Sequence, residues 1–143
     1  TSRWAETRSA AMPADAHPFF AGIAALRVSA HLLVRRDGGV SQYAPLGARA
    51  WHAGVSRWEG REACNDFSVG IELEGTDDAP YEDAQYAALA ALLAALRRRW
   101  PDLAPERVVG HSDIAPGRKT DPGPSFDWGR LRAMQAMQEG GSA

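Results

Sequence analysis

Ser68-Val69-Gly70-Ile71-Glu72-Leu73-Glu74 alternates cleanly between apolar and polar residues. Val69, Ile71 and Leu73 fall on one face, and Ser68, Gly70, Glu72 and Glu74 on the other. That period predicts a strand with one face in a core and one face open to polar chemistry. After a short gap, Glu82 to Trp100 carries the helical period: Tyr86, Leu89, Leu93, Leu96 and Trp100 recur at spacings of three and four. Acidic Glu82 and Asp83 open this helix and Arg97-Arg98-Arg99 close it, as the helix dipole favours. Pro101 stops it.

Working outward, Val28 to Arg36 reads as a strand, Asp37-Gly38-Gly39 as its hairpin turn, and Val40 to Tyr43 as its partner. Arg49 to His52 and Arg107 to Gly110 are expected as short strands. Ala53 to Asp66 and His111 to Pro124 are expected as loops. Asp127 is placed to cap a last helix that starts at Trp128. Thr1 to Ala16 is polar and Ala-rich, either a short helix with a loop or a loose leader. The expected fold class is α/β of the α+β type, with a central mixed β-sheet flanked by helices. The expected organisation is a leader at 1–16, one domain at 17–138 and a tail at 139–143.

At 143 residues there is room for one domain of ordinary size. The net charge of −2 argues against a general nucleic-acid binder, so no nucleic-acid partner is expected. No apolar run approaches the roughly 20 residues that span a bilayer, so no membrane partner is expected either. One cysteine, Cys64, excludes an internal disulfide and a Cys-rich zinc module. With no signal-peptide pattern, the expected location is cytoplasmic, and the expected state a monomer. Fifteen of the 16 basic residues are arginine, which makes Lys119 the only lysine.

That lysine lies in Gly110-His111-Ser112-Asp113-Ile114-Ala115-Pro116-Gly117-Arg118-Lys119-Thr120-Asp121-Pro122-Gly123-Pro124. A loop after a strand, stiffened by prolines, is a common seat of function. His111 and Asp121 are donors that zinc accepts. If the stretch is extended, Lys119 and Asp121 point the same way, and the lysine suits a developing oxyanion. The plain alternative is a surface loop whose Asp and Lys pair. Glu72, with Glu74 beside it, suits a general base if it is partly buried, or else faces solvent. His31 reads as a packed, hydrogen-bonded histidine. Trp51 and His52 either line a groove or cover the core. Arg27, Arg61 and Arg118 either clamp ligand carboxylates or are solvated.

At these residues the sequence closely resembles the AmpD-type N-acetylmuramoyl-L-alanine amidases, within the amidase-2 and peptidoglycan-recognition superfamily. The matching stretches are His17-Pro18-Phe19-Phe20-Ala21-Gly22-Ile23, Arg27-Val28-Ser29-Ala30-His31, Arg49-Ala50-Trp51-His52-Ala53-Gly54-Val55-Ser56, the run from Cys64 through Thr76, and Arg118 through Trp128. The resemblance implies a zinc amidase of cell-wall recycling. Its substrate would be a 1,6-anhydro-N-acetylmuramoyl peptide, cut between the lactyl group and L-alanine. By motif, His111 and Asp121 match two zinc ligands, Glu72 the acid that activates water, and Lys119 the oxyanion stabiliser. Arg27, Trp51, His52 and Arg118 are carried over as substrate-binding residues.

Two departures accompany the resemblance. The family's first zinc ligand is a histidine on an early central strand, ahead of the His17 block. Only 16 residues precede His17 here, and none is histidine. The expectation is therefore a chain with two zinc ligands that lacks a strand inside the sheet. Ala63 also stands where many relatives carry arginine. The competing expectation is a non-catalytic muropeptide-binding module. The joint presence of Glu72, His111, Lys119 and Asp121 favours the enzyme, because a binder has no need of all four.

Overall fold

The computed structural model describes residues 4–10 and 29–140. Its strands are β1 (Trp4–Ala10), β2 (Leu32–Val34), β3 (Val40–Gln42), β4 (Arg57–Trp58), β5 (Arg61–Glu62), β6 (Ser68–Glu74) and β7 (Val108–Gly110). Its helices are α1 (Asp83–Arg99), α2 (His111–Ile114) and α3 (Trp128–Gly140). The main sheet runs β3-β2-β6-β1-β7, and β4 and β5 form a separate two-stranded ribbon. β2, β6, β1 and β7 are parallel, and β3 is antiparallel on the edge. An antiparallel edge on a parallel sheet is a common mixed arrangement.

β6 holds the middle of this sheet because its alternation feeds two environments. Val69, Ile71 and Leu73 are buried in one core with Leu89, Leu93 and Leu96 of α1. Each such side chain, fully buried, contributes about 1.5–3 kcal/mol. The start of α1 is tied to the sheet by Gln85, which is 1% exposed. Its Nε2 donates to Glu74 O at 2.9 Å and Val34 O at 3.4 Å, and its Oε1 accepts from Glu82 N at 3.0 Å. One buried amide thus serves the last carbonyls of two strands and closes a capping box with Glu82. Asp127 caps α3 as expected, its Oδ1 accepting from Arg130 N at 2.8 Å.

Several expectations are corrected. The sheet was expected to lack a strand, and Thr1 to Ala16 to be a leader. Instead β1 lies between β6 and β7, with Trp4 opposite Ser68 and Ala10 opposite Glu74. The reason is that sheet pairing uses backbone groups, which Trp4-Ala5-Glu6-Thr7-Arg8-Ser9-Ala10 supplies despite lacking an apolar alternation. The proposed strand at Arg49 to His52 reduces to a single bridge, Ser29 to Trp51. The loop at 53–66 holds the β4–β5 ribbon and a 3-10 turn at Cys64–Asp66. The loop at 111–124 opens with α2. The segment around Lys119 is not extended: Arg118 N and Lys119 N both turn back to Ala115 O at 3.1 Å. The alternation argument that linked Lys119 to Asp121 therefore does not apply. Among the described residues, no helix is long and apolar enough to cross a membrane.

Candidate active site

Parallel strands bring their C-terminal ends to one edge, where open α/β sheets generally place ligands. Glu72 sits near that end of β6, and His111 follows directly from the end of β7. Register relates the two: Ile71, Thr7 and Gly110 form one row across β6, β1 and β7, so Glu72, Arg8 and the position of His111 follow in the next. Glu72 shares its face with Gly70 and Ser68, both of which lie against His52. Glu72 as a residue is half-buried.

His111 is 1% exposed. Its Nδ1 lies 3.1 Å from Asp121 Oδ2, and its Nε2 lies 3.0 Å from Ala53 O. Asp121 is brought back to His111 by backbone as well, since Ser112 N donates to Asp121 O at 3.0 Å. The next residue is also fixed: the Tyr81 hydroxyl donates to Pro122 O at 2.9 Å. Tyr81 in turn packs on Phe126, which stacks on Tyr86. Arg118 closes the site from the other side, with one guanidinium nitrogen donating to Ala53 O at 2.6 Å and Val55 O at 2.7 Å. A Cβ on Gly54 would come within 3.2 Å of that guanidinium, so the glycine makes room for the clamp.

Burial, with Asp77 and Asp121 nearby, pushes the Tyr81 phenol from 10.0 up to about 12. The fold therefore favours the protonated phenol. Its contribution is complete below about pH 10 and is lost as the pH rises towards 12. Tyr81→Phe is expected to flatten the alkaline loss of stability over that window. At neutral pH it should cost about 1–2 kcal/mol, by leaving the Pro122 carbonyl without its donor. Urea unfolding at neutral and strongly alkaline pH measures both effects. An unchanged alkaline limb would remove Tyr81 from its cause.

Trp51 is 46% exposed, and the Arg49 guanidinium stacks 3.9 Å from its ring centroid. Both border a groove of about 730 Å³, together with Gly54, Arg57, Ile114 and Arg118. His52 is 1% exposed and packs on β6, its Nε2 3.5 Å from Ser68 Oγ. The structure thus puts Trp51 at the groove and His52 beneath it. His31 is fully buried, accepting from Gly70 N at 3.0 Å on Nδ1 and meeting Ala48 O at 2.9 Å through Nε2, the packed histidine expected of it. Lys119 is half-buried, two residues from Asp121. Arg27 lies outside the described residues. A separate cavity of about 380 Å³, bordered by Leu93, Arg97, Leu103, Val108 and Gln135, contains none of the candidate residues.

Residues 2–124 match the Amidase_2 family, N-acetylmuramoyl-L-alanine amidase. The chain belongs to this amidase family. The 1,6-anhydro-N-acetylmuramyl-L-alanine amidase AmpD of Citrobacter freundii is 65% identical over 120 residues, which are 84% of this chain and 64% of that protein. AmpD of Escherichia coli K12 is 65% identical over 124 residues, 87% of this chain and 67% of that protein. The chain thus spans about two thirds of the length of these relatives. A selenomethionine AmpD crystal structure superposes with a TM-score of 0.86 at 52% identity, over 93% of this chain and 84% of that one. AmiD of E. coli, solved with the substrate anhydro-N-acetylmuramic acid-L-Ala-D-gamma-Glu-L-Lys, gives 0.79 at 36% identity, over 93% and 57%. The resemblance read from the motifs and the amidase fold expected from it both hold.

A metal ion was expected from that resemblance. In a tetrahedral site with bonds of about 2.0–2.2 Å, two ligand atoms stand about 3.3–3.5 Å apart. His111 Nδ1 and Asp121 Oδ2, at 3.1 Å, are close to that spacing, and each is of a type that zinc accepts. They fit zinc as two of its ligands. Among the described residues there is no group of three such donors, and the sequence of β1 contains no histidine.

Three contributors were missed by sequence reasoning: Asn65, whose Oδ1 accepts from His52 N at 3.0 Å and Ala53 N at 2.8 Å, Tyr81 and the Ala53 carbonyl. Asn65 lies within a quoted motif, but nothing in its spacing separates a buried acceptor from a turn residue. Tyr81 follows a proline and looks like a loop aromatic. A backbone carbonyl has no sequence signal at all.

Proposed function

We propose that this chain carries out zinc-dependent hydrolysis of the amide between the lactyl group of (1,6-anhydro-)N-acetylmuramic acid and the L-alanine of the stem peptide, in cell-wall recycling. The observation that carries the reading is the meeting of His111 and Asp121, ten residues apart in sequence and 3.1 Å apart in space, at the sheet edge that also bears Glu72. His111 Nδ1 and Asp121 Oδ2 would hold the ion. When bound, zinc supplies Lewis-acid polarisation of a carbonyl and acidification of water.

The chain's own residues do the rest. Glu72 accepts a proton from the attacking water as its oxygen bonds to the carbonyl carbon. The same proton passes to the amine nitrogen as the C–N bond breaks. Lys119 Nζ stabilises the negative charge that gathers on the carbonyl oxygen. The exposed ring of Trp51 offers the groove an apolar wall for the sugar or the peptide. The protein acts as a cytoplasmic monomer on this reading.

The absence of a third donor among the described residues favours a second reading, a muropeptide-binding module without turnover. One experiment separates the two. Zinc content and release of stem peptide from 1,6-anhydro-N-acetylmuramoyl peptide are measured on this chain and on versions extended at the N-terminus. A zinc-loaded form is expected to release peptide, and Asp121→Ala in that form to lose its zinc. A form that retains zinc and binds the muropeptide but releases nothing sinks the enzyme and leaves the binder. Zinc content unchanged in Asp121→Ala removes the aspartate from the ligand set.

A further inference from the structure

The turn Gly75-Thr76-Asp77-Asp78-Ala79-Pro80-Tyr81 leaves the C-terminal end of β6, the strand that carries Glu72, and meets the loop that carries Lys119 and Asp121. It grips both chain neighbours of Asp121. The Tyr81 hydroxyl donates to Pro122 O at 2.9 Å, and the Thr120 hydroxyl donates to Asp77 Oδ2. Asp77 takes no part in the chemistry above, yet it makes a second contact with the same loop. Gly123 has a φ of +82°, and a Cβ there would stand 2.6 Å from Asp77 Cβ, 2.7 Å from its Cα and 2.8 Å from its carbonyl oxygen. The loop backbone is therefore seated directly on Asp77. Gly123 N donates to Thr120 O at 2.9 Å, which closes residues 120–123 into a turn over that seat.

A hydroxyl bonded to a carboxylate is a charge-assisted contact, stronger than one between neutral groups. Thr120 stands between Lys119 and Asp121, so holding its side chain fixes the peptide units that lead to both. Asp121 Oδ2 lies 3.1 Å from His111 Nδ1, and Asp121 O accepts from Ser112 N at 3.0 Å. A loop that drifted off Asp77 would loosen both contacts. A misplacement of about 1 Å can cost on the order of 100-fold in rate, even when its origin is remote from the reacting atoms.

We propose that Asp77 is a positioning residue: it ties the turn after β6 to the 119–123 loop, and so sets Asp121 and Lys119 in place relative to Glu72. The roles of those three residues rest on the zinc amidase reading above. The tie between the two segments does not.

The test reads the loop directly. Hydrogen exchange by NMR in the metal-free protein follows the amides of Ser112 and Gly123, which donate to Asp121 O and Thr120 O. Asp77→Ala is expected to speed both by about 10-fold or more and to leave the amides of α1 unchanged, because the opening is local. In forms that take up zinc, the same variant should bind it about 10-fold more weakly, measured by competition with a chromophoric chelator. Its kcat should fall while KM stays within about 2-fold. Asp77→Asn keeps an oxygen that accepts from the Thr120 hydroxyl. It should restore the protection and bring zinc affinity back to within about 3-fold of the starting protein. Thr120→Val removes the same hydrogen bond from the other side, and it carries the test if Asp77→Ala does not fold. The double variant should be no worse than either single one, because both lose one shared contact. Additive losses overturn the proposal. So does unchanged exchange at Ser112 and Gly123 in Asp77→Ala. A residue that merely stabilised the fold would speed exchange in α1 as much as in the loop, and that result overturns it as well. If no form binds zinc, the zinc reading fails by itself, and the exchange rates still decide the role of Asp77.

Discussion

Gly70→Ala is expected to destabilise the protein by about 3 kcal/mol or more and to disable the site with it. A Cβ at position 70 would stand 2.4 Å from His52 Cγ, 2.7 Å from Cδ2 and 2.8 Å from Cβ. These contacts lie far inside van der Waals range, and the obstacle is no flexible side-chain end. His52 is 1% exposed, and its ring meets His31 edge-on at a centroid distance of 5.6 Å. Overpacking a tight core typically costs 1–3 kcal/mol, and here there is little free space for relief. For a domain of this size such a loss lowers the melting temperature by roughly 10 °C. The only relief is to push the 52–53 segment off β6, and that moves the Ala53 carbonyl away from His111 Nε2. Circular dichroism melts and the NMR signals of His111 should therefore change together. A melting temperature within about 2 °C of the starting protein would show that the His52 segment yields freely and does not brace the site.

Elements with their own periodic pattern are legible in the sequence, and those built by assembled packing are not. β6 was recoverable in full because its alternation is a direct record of one buried and one polar face. α1 followed from its apolar spacing, with Glu82 correctly placed at its start, and the hairpin of β2 and β3 from Asp37-Gly38-Gly39. β1 was not recoverable, because backbone pairing on both sides admits a sequence with no hydrophobic period. The candidate site divides the same way. His111 and Asp121 could be paired because both are residue types with few roles in a proline-bound loop. The argument from extended spacing that accompanied them was wrong, since the chain folds back at Ala115 and returns through turns. What surrounds the pair is a buried asparagine, a backbone carbonyl and a tyrosine distant in sequence. Those contacts arise only when the 53–65 segment, β6 and the 111–122 segment are assembled, so no local pattern encodes them.

Glu72→Gln is expected to lower peptide release by about 10²–10⁴-fold, the range ascribed to a positioned general acid–base group. That loss corresponds to roughly 3–5 kcal/mol in the barrier. The substitution preserves shape, and it leaves Gly70 and the buried Val69, Ile71 and Leu73 of β6 untouched, so melting temperature and zinc content should hold. The effect should fall on kcat, since on the proposed reading the carboxylate moves a proton and does not bind the substrate. Lys119→Ala offers the contrast. It too should retain zinc and lower kcat, but by removing charge stabilisation, so that replacement by arginine recovers part of the loss. No such recovery is expected at position 72 from any residue that cannot take a proton. Measured kcat, KM and zinc content for the two variants decide the assignment. A Glu72→Gln protein that keeps more than about a tenth of its turnover would mean that water is deprotonated elsewhere. Glu72, on the polar face of β6, would then serve only the architecture of the sheet edge.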